Sequence, residues 1–185
     1  MLRIAIVIGS TRPGRKGEAV ARWAFDLAKA RGDADYALLD LADFDLPLLD
    51  EPVPPSMHKY SKPHTLKWSQ AIAGFDGFVF VTPEYNHGTC AALKNALDFL
   101  YQEWNNKACG FVGYGSAGGT RAVEQLRGNV AELQMASVRN QVQLSLFTDW
   151  ADGAFKPAER AAKSVGAMLD QLLAWSGALK PLRSD

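Results

Sequence analysis

A short buried segment that runs into a polar turn and then a helix constrains this chain more than any other feature. The segment Phe78–Val81 is apolar and rich in β-formers, which is typical of a strand buried on both faces. Pro83 has no amide hydrogen for a sheet and favours an extended Thr82, so the strand should end there. Residues 84–89 then lie at the carboxyl end of a strand, where open α/β sheets bind ligands. The polar groups of this loop and the ring of Tyr85 suit a flat ligand with polar edges.

The order of strand, loop and helix recurs along the whole chain. Strands are predicted at 3–8, 36–39, 78–81, 108–114 and 138–147, and helices at about 18–31, 65–73, 90–104, 123–133 and after Pro157. Five such units predict an α/β fold, a doubly wound parallel sheet of order 2-1-3-4-5 with helices on both faces. Polar and apolar residues alternate in the fifth strand, which indicates an edge strand. The 185 residues suit one domain, 1–185.

This topology brings three loops to one edge of the sheet, and the first of them has the character of a phosphate site. Gly9–Gly17 follows a strand and opens a helix. Its amides, the hydroxyls of Ser10 and Thr11, the guanidinium of Arg12 and the helix dipole suit a phosphate dianion. It is not a Walker A loop, because arginine and lysine stand where that motif has lysine and a hydroxyl residue. A flexible turn with solvated cations is the alternative interpretation.

The third loop, after the fourth strand, is Gly113–Gly119. Gly113 to Gly118 match G-x-G-x-x-G literally, but the match follows the fourth strand rather than the first, and no acidic residue ends a following strand. We therefore interpret it as a tight turn that offers amide donors to a ligand. Glycines that only permit close packing are the alternative.

No side chain stands out as an acid, a base, a nucleophile or a metal ligand. His87 is more consistent with a polar pocket wall or a satisfied surface imidazole than with proton transfer. Of the other two histidines, His58 lies in the proline-rich connection 43–63 and His64 directly follows it. Cys90 stands near a helix start, which can lower a thiol pKa, but a small buried hydrophobe is the favoured interpretation. Ser116 is not in a nucleophile elbow. No catalytic side chain and no metal site are therefore predicted.

Composition excludes several classes of partner. Twenty basic residues balance 20 acidic ones, so nucleic acid is not expected as a partner. Two cysteines form no disulfide framework, the start does not resemble a signal peptide, and no apolar run is long enough for a membrane span. A cytoplasmic protein is the expectation.

The predicted helix 90–104 is apolar around most of its circumference. Leu93, Leu97, Leu100 and Trp104 form one stripe, and neighbouring residues extend it. A helix of this kind is expected to bury one side on the sheet and another on a second chain.

The motifs together resemble the NAD(P)H-dependent FMN reductase family, flavodoxin-like enzymes that include quinone, azo and chromate reductases. The resemblance covers nearly the whole chain. It is carried by Gly9-Ser-Thr-Arg12, Asp45-Leu-Pro-Leu, Pro83-Glu-Tyr-Asn86 with Leu93-Lys-Asn-Ala-Leu-Asp98, and Gly115-Ser-Ala-Gly-Gly119.

The resemblance implies FMN as cofactor, NADPH or NADH as co-substrate, and a homodimer or homotetramer. The implied cofactor-binding residues are Ser10, Thr11, Arg12, Gly17, Glu18, Ala19 and Val20 at the phosphate; Pro83, Glu84, Tyr85 and Asn86 along the isoalloxazine; and Gly115, Ser116, Ala117 and Gly118 at its pyrimidine edge. Two departures stand out. Gly17 replaces a frequent serine, a loss for which Arg15 or Lys16 would compensate, and Gly88 and Cys90 replace a frequent serine and proline.

The implied function is ping-pong hydride transfer from NAD(P)H through FMN to a small acceptor: a flavin, a quinone, an azo compound or a metal oxyanion. The sequence does not decide between NADPH and NADH, although Arg15 and Lys16 are suited to contact the 2′-phosphate of NADPH. The main rival is a flavodoxin-type electron carrier without hydride chemistry of its own, although such carriers tend to be acidic. A regulator or scaffold that has lost the cofactor is a third possibility.

Overall fold

The computed structural model describes residues 1–183 and consists of alternating strands and helices. In chain order the elements are β1 Arg3–Ile8, α1 Gly17–Lys29, β2 Asp35–Asp40, the 3-10 turns Leu41–Phe44 and Pro55–Met57, α2 Pro63–Ala73, β3 Gly77–Pro83, α3 Ala91–Asp98, β4 Ala108–Gly115, α4 Thr120–Glu132, β5 Ala136–Ser145, β6 Trp150–Ala151, β7 Ala154–Phe155, α5 Glu159–Leu179 and the 3-10 turn Lys180–Arg183.

The main sheet has five parallel strands in the order β2-β1-β3-β4-β5, as the sequence predicts. β1, β3 and β4 are buried on both faces because helices cover each side. Helices α1 and α5 pack on one face, against Ile6 and Val79; α2, α3 and α4 pack on the other, against Val7 and Phe80. The fifth strand lies at the edge and alternates buried with exposed residues, which confirms the expectation of one wet face.

Helix α3 is shorter than predicted, and its surplus apolar residues are covered by the chain itself. The helix ends at Asp98, where the indole groups of Trp68 and Trp104 donate to the carbonyl oxygens of Ala96 and Leu97 at 2.9 and 3.2 Å. The first bond satisfies a carbonyl that the helix end leaves without a backbone partner, and the second adds to the bond that Leu97 O accepts from the amide of Leu100. Phe99, Leu100 and Trp104 are fully buried in the turn that follows. The apolar excess is therefore core, so it supplies no argument for a second chain, and oligomerisation stays a prediction.

The small hairpin formed by β6 and β7 was not predicted from the sequence. The ring centroids of its Trp150 and Phe155 lie 4.8 Å apart at an interplanar angle of 48°, beside α1, where Trp23 meets Phe155 edge to face. Two-residue strands carry too short a pattern to be recognised by periodicity. None of the helices in residues 1–183 combines the length and the apolar character that crossing a bilayer requires.

Candidate functional site

The carboxyl edge of the sheet carries a cleft of about 200 Å³ at the point where the strand order reverses. The three predicted loops converge there, joined by a fourth, short segment after β5. The cleft is lined by Arg12, Gly14, Arg15, Lys16, Pro83, Glu84, Tyr85, Tyr114, Gly115 and Leu146. Two backbone hydrogen bonds fix the loops to one another: Gly9 N–H donates to Val81 O at 2.9 Å, and Glu84 N–H donates to Tyr114 O at 2.9 Å. The predicted convergence is thus observed.

One end of the cleft presents hydrogen-bond donors without acceptors. In the described chain, the amides of Gly17, Glu18 and Ala19 in the first turn of α1 donate to nothing, and no side chain caps this helix. Four free amides are usual at a helix start, and together with the dipole they favour an anion. The amide of Val20 instead donates to Lys16 O at 3.3 Å, so it is not free for a ligand. The guanidinium of Arg12, whose residue is exposed, lines the cleft at this end.

Arg15 holds this loop to the neighbouring strand rather than reaching into the cleft as a free charge. Its guanidinium donates to Ser10 O and to both carboxylate oxygens of Asp40, one of them at 2.9 Å. The two side chains are only 13% and 19% exposed, so this is a partly buried ion pair. Arg15 therefore stabilises the loop. Lys16 is then the cation left to compensate for the missing serine hydroxyl at Gly17 or to contact a 2′-phosphate.

The wall of the cleft is a tight turn that presents the ring of Tyr85. Tyr85 and Gly88 exchange two backbone hydrogen bonds of 2.9 Å, and the residues between them, Asn86 and His87, have positive φ angles of 49° and 67°. Positive φ at both central positions is the geometry of a type I′ turn, which asparagine tolerates well. The turn holds Tyr85 with 37% of its surface exposed.

Glu84, next to this turn, binds helix α4 through its carboxylate. Its carboxylate accepts from the amide and the Nε of Arg121, at 3.0 and 2.6 Å, and the guanidinium also contacts His87 Nε2 at 2.7 Å. Burial alone would raise the pKa of Glu84, but the hydrogen bonds and charge of Arg121 outweigh it and lower the pKa. Glu84 is consequently a carboxylate that positions the loop, not a proton donor.

The opposite end of the cleft is the turn after β4. Gly115, in the cleft lining, leads to Ser116 and Ala117, which are exposed and whose amides find no acceptor within residues 1–183. Gly118 closes the turn by donating to Gly115 O at 3.1 Å, with a positive φ of 69°. This turn therefore offers two donors, as the sequence predicts.

Five of the fifteen predicted residues line the cleft, and ten lie outside its lining: Ser10, Thr11, Gly17, Glu18, Ala19, Val20, Asn86, Ser116, Ala117 and Gly118. Thr11 lines a neighbouring cavity beneath the long connection, with Asp45 and Asn95. The side chain of Glu18 pairs with Arg22 on the surface, and that of Val20 is fully buried in the core. For these two positions only the backbone faces the helix end.

The structure also distinguishes between the alternative roles considered for Cys90 and for His87. Cys90 is buried and donates to Gly9 O at 3.1 Å, and burial raises the pKa of its thiol, which confirms the small-hydrophobe interpretation over a reactive thiolate. His87 accepts from Arg121 at the outer side of the turn, in keeping with a structural role.

Sequence reasoning missed two residues of the cleft. Tyr114 pairs with Pro83 across the sheet, and this position at the carboxyl end of β4 was the available signal. Leu146 was assigned to the buried side of the fifth strand, but that strand ends at Ser145 and Leu146 turns into the cleft, 37% exposed.

Comparison with protein families matches residues 2–149 to the model described as NADPH-dependent FMN reductase. An NAD(P)H-dependent FMN reductase of Schizosaccharomyces pombe is 40% identical over 90% of this chain and 84% of the relative. A 2-hydroxy-1,4-benzoquinone reductase of a Burkholderia species is 29% identical over 94% of this chain and 96% of the relative.

Among solved structures, the flavoenzyme NAD(P)H:(acceptor) oxidoreductase FerB of Paracoccus denitrificans is similar, with a TM-score of 0.74 and 21% identity over 96% of this chain and 98% of that one. At that identity the likeness concerns the fold.

Proposed function

Because the chain belongs to the family of NADPH-dependent FMN reductases, we propose that it binds FMN in the cleft and passes hydride from NAD(P)H to a small acceptor. Family membership makes the chain an oxidoreductase that depends on FMN and NAD(P)H. The position of the cofactor, the order of the steps and the acceptor are the proposal.

The observation that carries the proposal is the distribution of spare donors along the cleft. Three free amides at the start of α1 come directly after Lys16, which lines the cleft with Arg12, and the free amides of Ser116 and Ala117 come directly after Gly115, which also lines it. Tyr85 and Leu146 add an aromatic ring and an apolar side chain to the lining. A phosphate, a flat ring and a polar ring edge match this arrangement.

FMN, when bound, supplies the hydride chemistry, and the residues of the chain need only hold and orient it. Arg12 and the α1 amides bind the phosphate, and the turn 85–88 fixes the ring wall. The amides of Ser116 and Ala117 stabilise negative charge that develops at the ring edge, as preorganised donors do.

No side chain of the cleft is required as an acid or a base. Glu84 is held as a carboxylate by Arg121, and burial raises the pKa of Tyr114 to about 12. Neither group exchanges a proton readily near neutral pH, which is consistent with chemistry located on the cofactor.

We propose a ping-pong order, in which nicotinamide and acceptor use the same face of the bound flavin in turn. A planar, largely apolar acceptor fits Tyr85 and Leu146 best, and quinones are the class we favour.

The decisive experiment is anaerobic mixing of the FMN-loaded protein with NADPH or NADH. The reductase predicts rapid loss of the visible flavin absorbance, followed by its return when a quinone is added. A flavodoxin-type carrier would keep its oxidised spectrum with NAD(P)H until a separate reductase is supplied. A protein that binds no FMN would refute both and leave the regulator or scaffold.

A further inference from the structure

The first turn of α1 contains a glycine that has no room for a side chain, and the space is taken by a tyrosine from another strand. A Cβ atom on Gly17 would lie 2.6 Å from Ser10 Oγ and 2.7 Å from Tyr114 Oη. Both distances are shorter than real Cβ contacts allow. The phenol oxygen of Tyr114 thus stands beside the first residue of α1, in the volume that a residue 17 side chain would occupy.

The hydroxyls of Tyr114 and Ser10 form a pair with one unused proton. They lie 3.2 Å apart, and this is the one side-chain hydrogen bond that either hydroxyl makes in residues 1–183. Two hydroxyls carry two protons, and a single bond between them uses one. The residues are 5% and 1% exposed, so water has little access to the remaining donor. A buried donor without an acceptor costs free energy unless a ligand accepts its proton.

The hydroxyl pair lies beside Gly17, the first of the three residues of α1 whose amides are free. Tyr114 also lines the cleft together with Arg12 and Gly14. Its backbone is held in the sheet between Pro83 and Leu144, which fixes the direction of the ring. The hydroxyl pair and the free amides are all hydrogen-bond donors, so they favour the same kind of ligand group, an anion.

We propose that Tyr114 is a cofactor-binding residue whose hydroxyl, acting with Ser10, supplies to the FMN phosphate the hydrogen bond that Gly17 lacks. This inference rests on the proposed function, and it assigns Gly17 and Tyr114 as a matched pair: the glycine is required because the phenol fills its side-chain space. The buried phenol keeps its proton, because burial raises its pKa to about 12, so it can donate throughout the neutral range.

The test is titration of the apo-protein with FMN and, separately, with riboflavin, which has the same ring without the phosphate. For Tyr114→Phe we expect the FMN dissociation constant to rise about tenfold or more, as for loss of a hydrogen bond to a charged group. The riboflavin constant should stay within about twofold. Tyr36→Phe is the matched control, because Tyr36 is a similarly buried tyrosine with a hydrogen-bonded hydroxyl, on β2, outside the cleft lining. It should leave both constants unchanged.

A second variant, Gly17→Ser, tests the matched pair. It should bind FMN poorly, because its Cβ would meet both hydroxyls. Equal loss of FMN and riboflavin in Tyr114→Phe, or no loss of either, would overturn the inference, and so would unchanged FMN affinity in Gly17→Ser. Original protein that binds neither flavin would refute the proposed function itself, whatever the variants do.

Discussion

The two edges of the central sheet are both rich in polar groups, but they differ in how many of those groups have partners. At the amino edge, Asp76 accepts from the Arg3 amide at 2.9 Å, from Lys180 at 3.2 Å and from Arg183. Glu103, 7% exposed, accepts from the hydroxyls of Tyr60 and Ser69, and His58 Nε2 lies 3.3 Å from its carboxylate. At the carboxyl edge, the amides of residues 17–19, 116 and 117 and one hydroxyl proton are among the groups that have no acceptor within the described residues. The amino edge has one exception, the buried hydroxyl of Ser176 beside Gly77, which also has no partner in the described residues. Saturated polar groups hold a fold together, and unsaturated ones mark where a ligand completes it.

Lys107 is an example of a polar group with partners at the amino edge of the sheet. It is buried, and its ammonium donates to the carbonyl oxygens of Ile72 and Ala73 at 3.3 and 3.1 Å, where α2 ends. A cation at a helix C-terminus satisfies orphan carbonyls and complements the dipole. The surface cavity that Lys107 lines with Glu103 and Arg183 therefore has charged walls that are already engaged by the fold.

The largest effect should come from Asp76→Ala. Removing the carboxylate leaves the Arg3 amide without its acceptor and two cations without their partner, so we expect the free energy of unfolding to fall by about 3 kcal/mol. FMN affinity should not change, because the cleft is at the opposite edge. Chemical denaturation measures the free energy of unfolding, and titration with FMN measures the affinity. Asp35→Ala, which breaks an exposed pair with Arg3, is the control and should cost about 0.5 kcal/mol or less. Equal costs for both variants would contradict the contrast between the edges.

Arg12→Ala should show the reverse pattern. We expect FMN affinity to fall by about 2 kcal/mol, because a charged hydrogen bond to the phosphate is lost. The unfolding free energy of the apo-protein should be unchanged, since Arg12 is exposed and makes no ion pair with a described residue. Arg22→Ala, a surface arginine on α1 paired with Glu18, is the matched control and should alter neither quantity. Unchanged FMN affinity in Arg12→Ala would argue against the phosphate assignment.

Glu84→Gln tests the ion pair between Glu84 and Arg121 through the pH dependence of the free energy of unfolding. The folded pKa of Glu84 is depressed, so its contribution to stability is complete above the unfolded pKa and is lost as pH falls through the folded one. We therefore expect the variant to be about 1–2 kcal/mol less stable at neutral pH, and this difference to shrink in acid. Urea unfolding at a series of pH values measures it. The exposed pair of Glu18 provides the comparison, and Glu18→Gln should show little difference at any pH. A difference for Glu84→Gln that is constant down to strong acid would refute the ion-pair explanation.

The smallest effect should come from Leu146→Ser on the acceptor step. Loss of apolar contact with a quinone should raise its KM about three- to tenfold, for about 1 kcal/mol of burial. Because Leu146 also lines the part of the cleft assigned to the flavin ring, FMN affinity is measured as well, and the rise in KM should exceed any loss of FMN affinity. The adjacent Phe147, which is 79% exposed and outside the cleft lining, is the matched control, and Phe147→Ser should change KM little. If both variants raise KM equally, the acceptor rests on a wider apolar surface than the cleft.

Prediction from sequence succeeded where one pattern decided the outcome. The buried runs that became β1, β3 and β4 and the glycine and proline signals after them were sufficient for the strand order and for the loops at the carboxyl edge. It failed where two local patterns look alike. The apolar stripe that ends at Trp104 predicts one continuous helix. The chain instead turns after Asp98, because two indoles cap the helix there and the following apolar residues pack into the core.

Within the candidate site, the residues predicted from the family motifs and those added by the structure differ in kind. Arg12, Tyr85 and Gly115 belong to motifs and line the cleft as expected. Tyr114 and Leu146 lie beside those motifs, at strand ends whose register and last residue no single-chain pattern specifies.

What the sequence by itself determined is the class of fold and the edge at which the loops meet, because alternating strands and helices in this order have few right-handed ways to pack. Which donors are spare and which are engaged was decided only by tertiary structure, since Arg15 finds Asp40 and the Tyr114 hydroxyl fills the space above Gly17 across distances that sequence spacing does not encode. The physical reason is that a hydrogen bond is satisfied or left open by positions of a few tenths of an ångström, and those positions exist only after the two layers of helices have closed on the sheet.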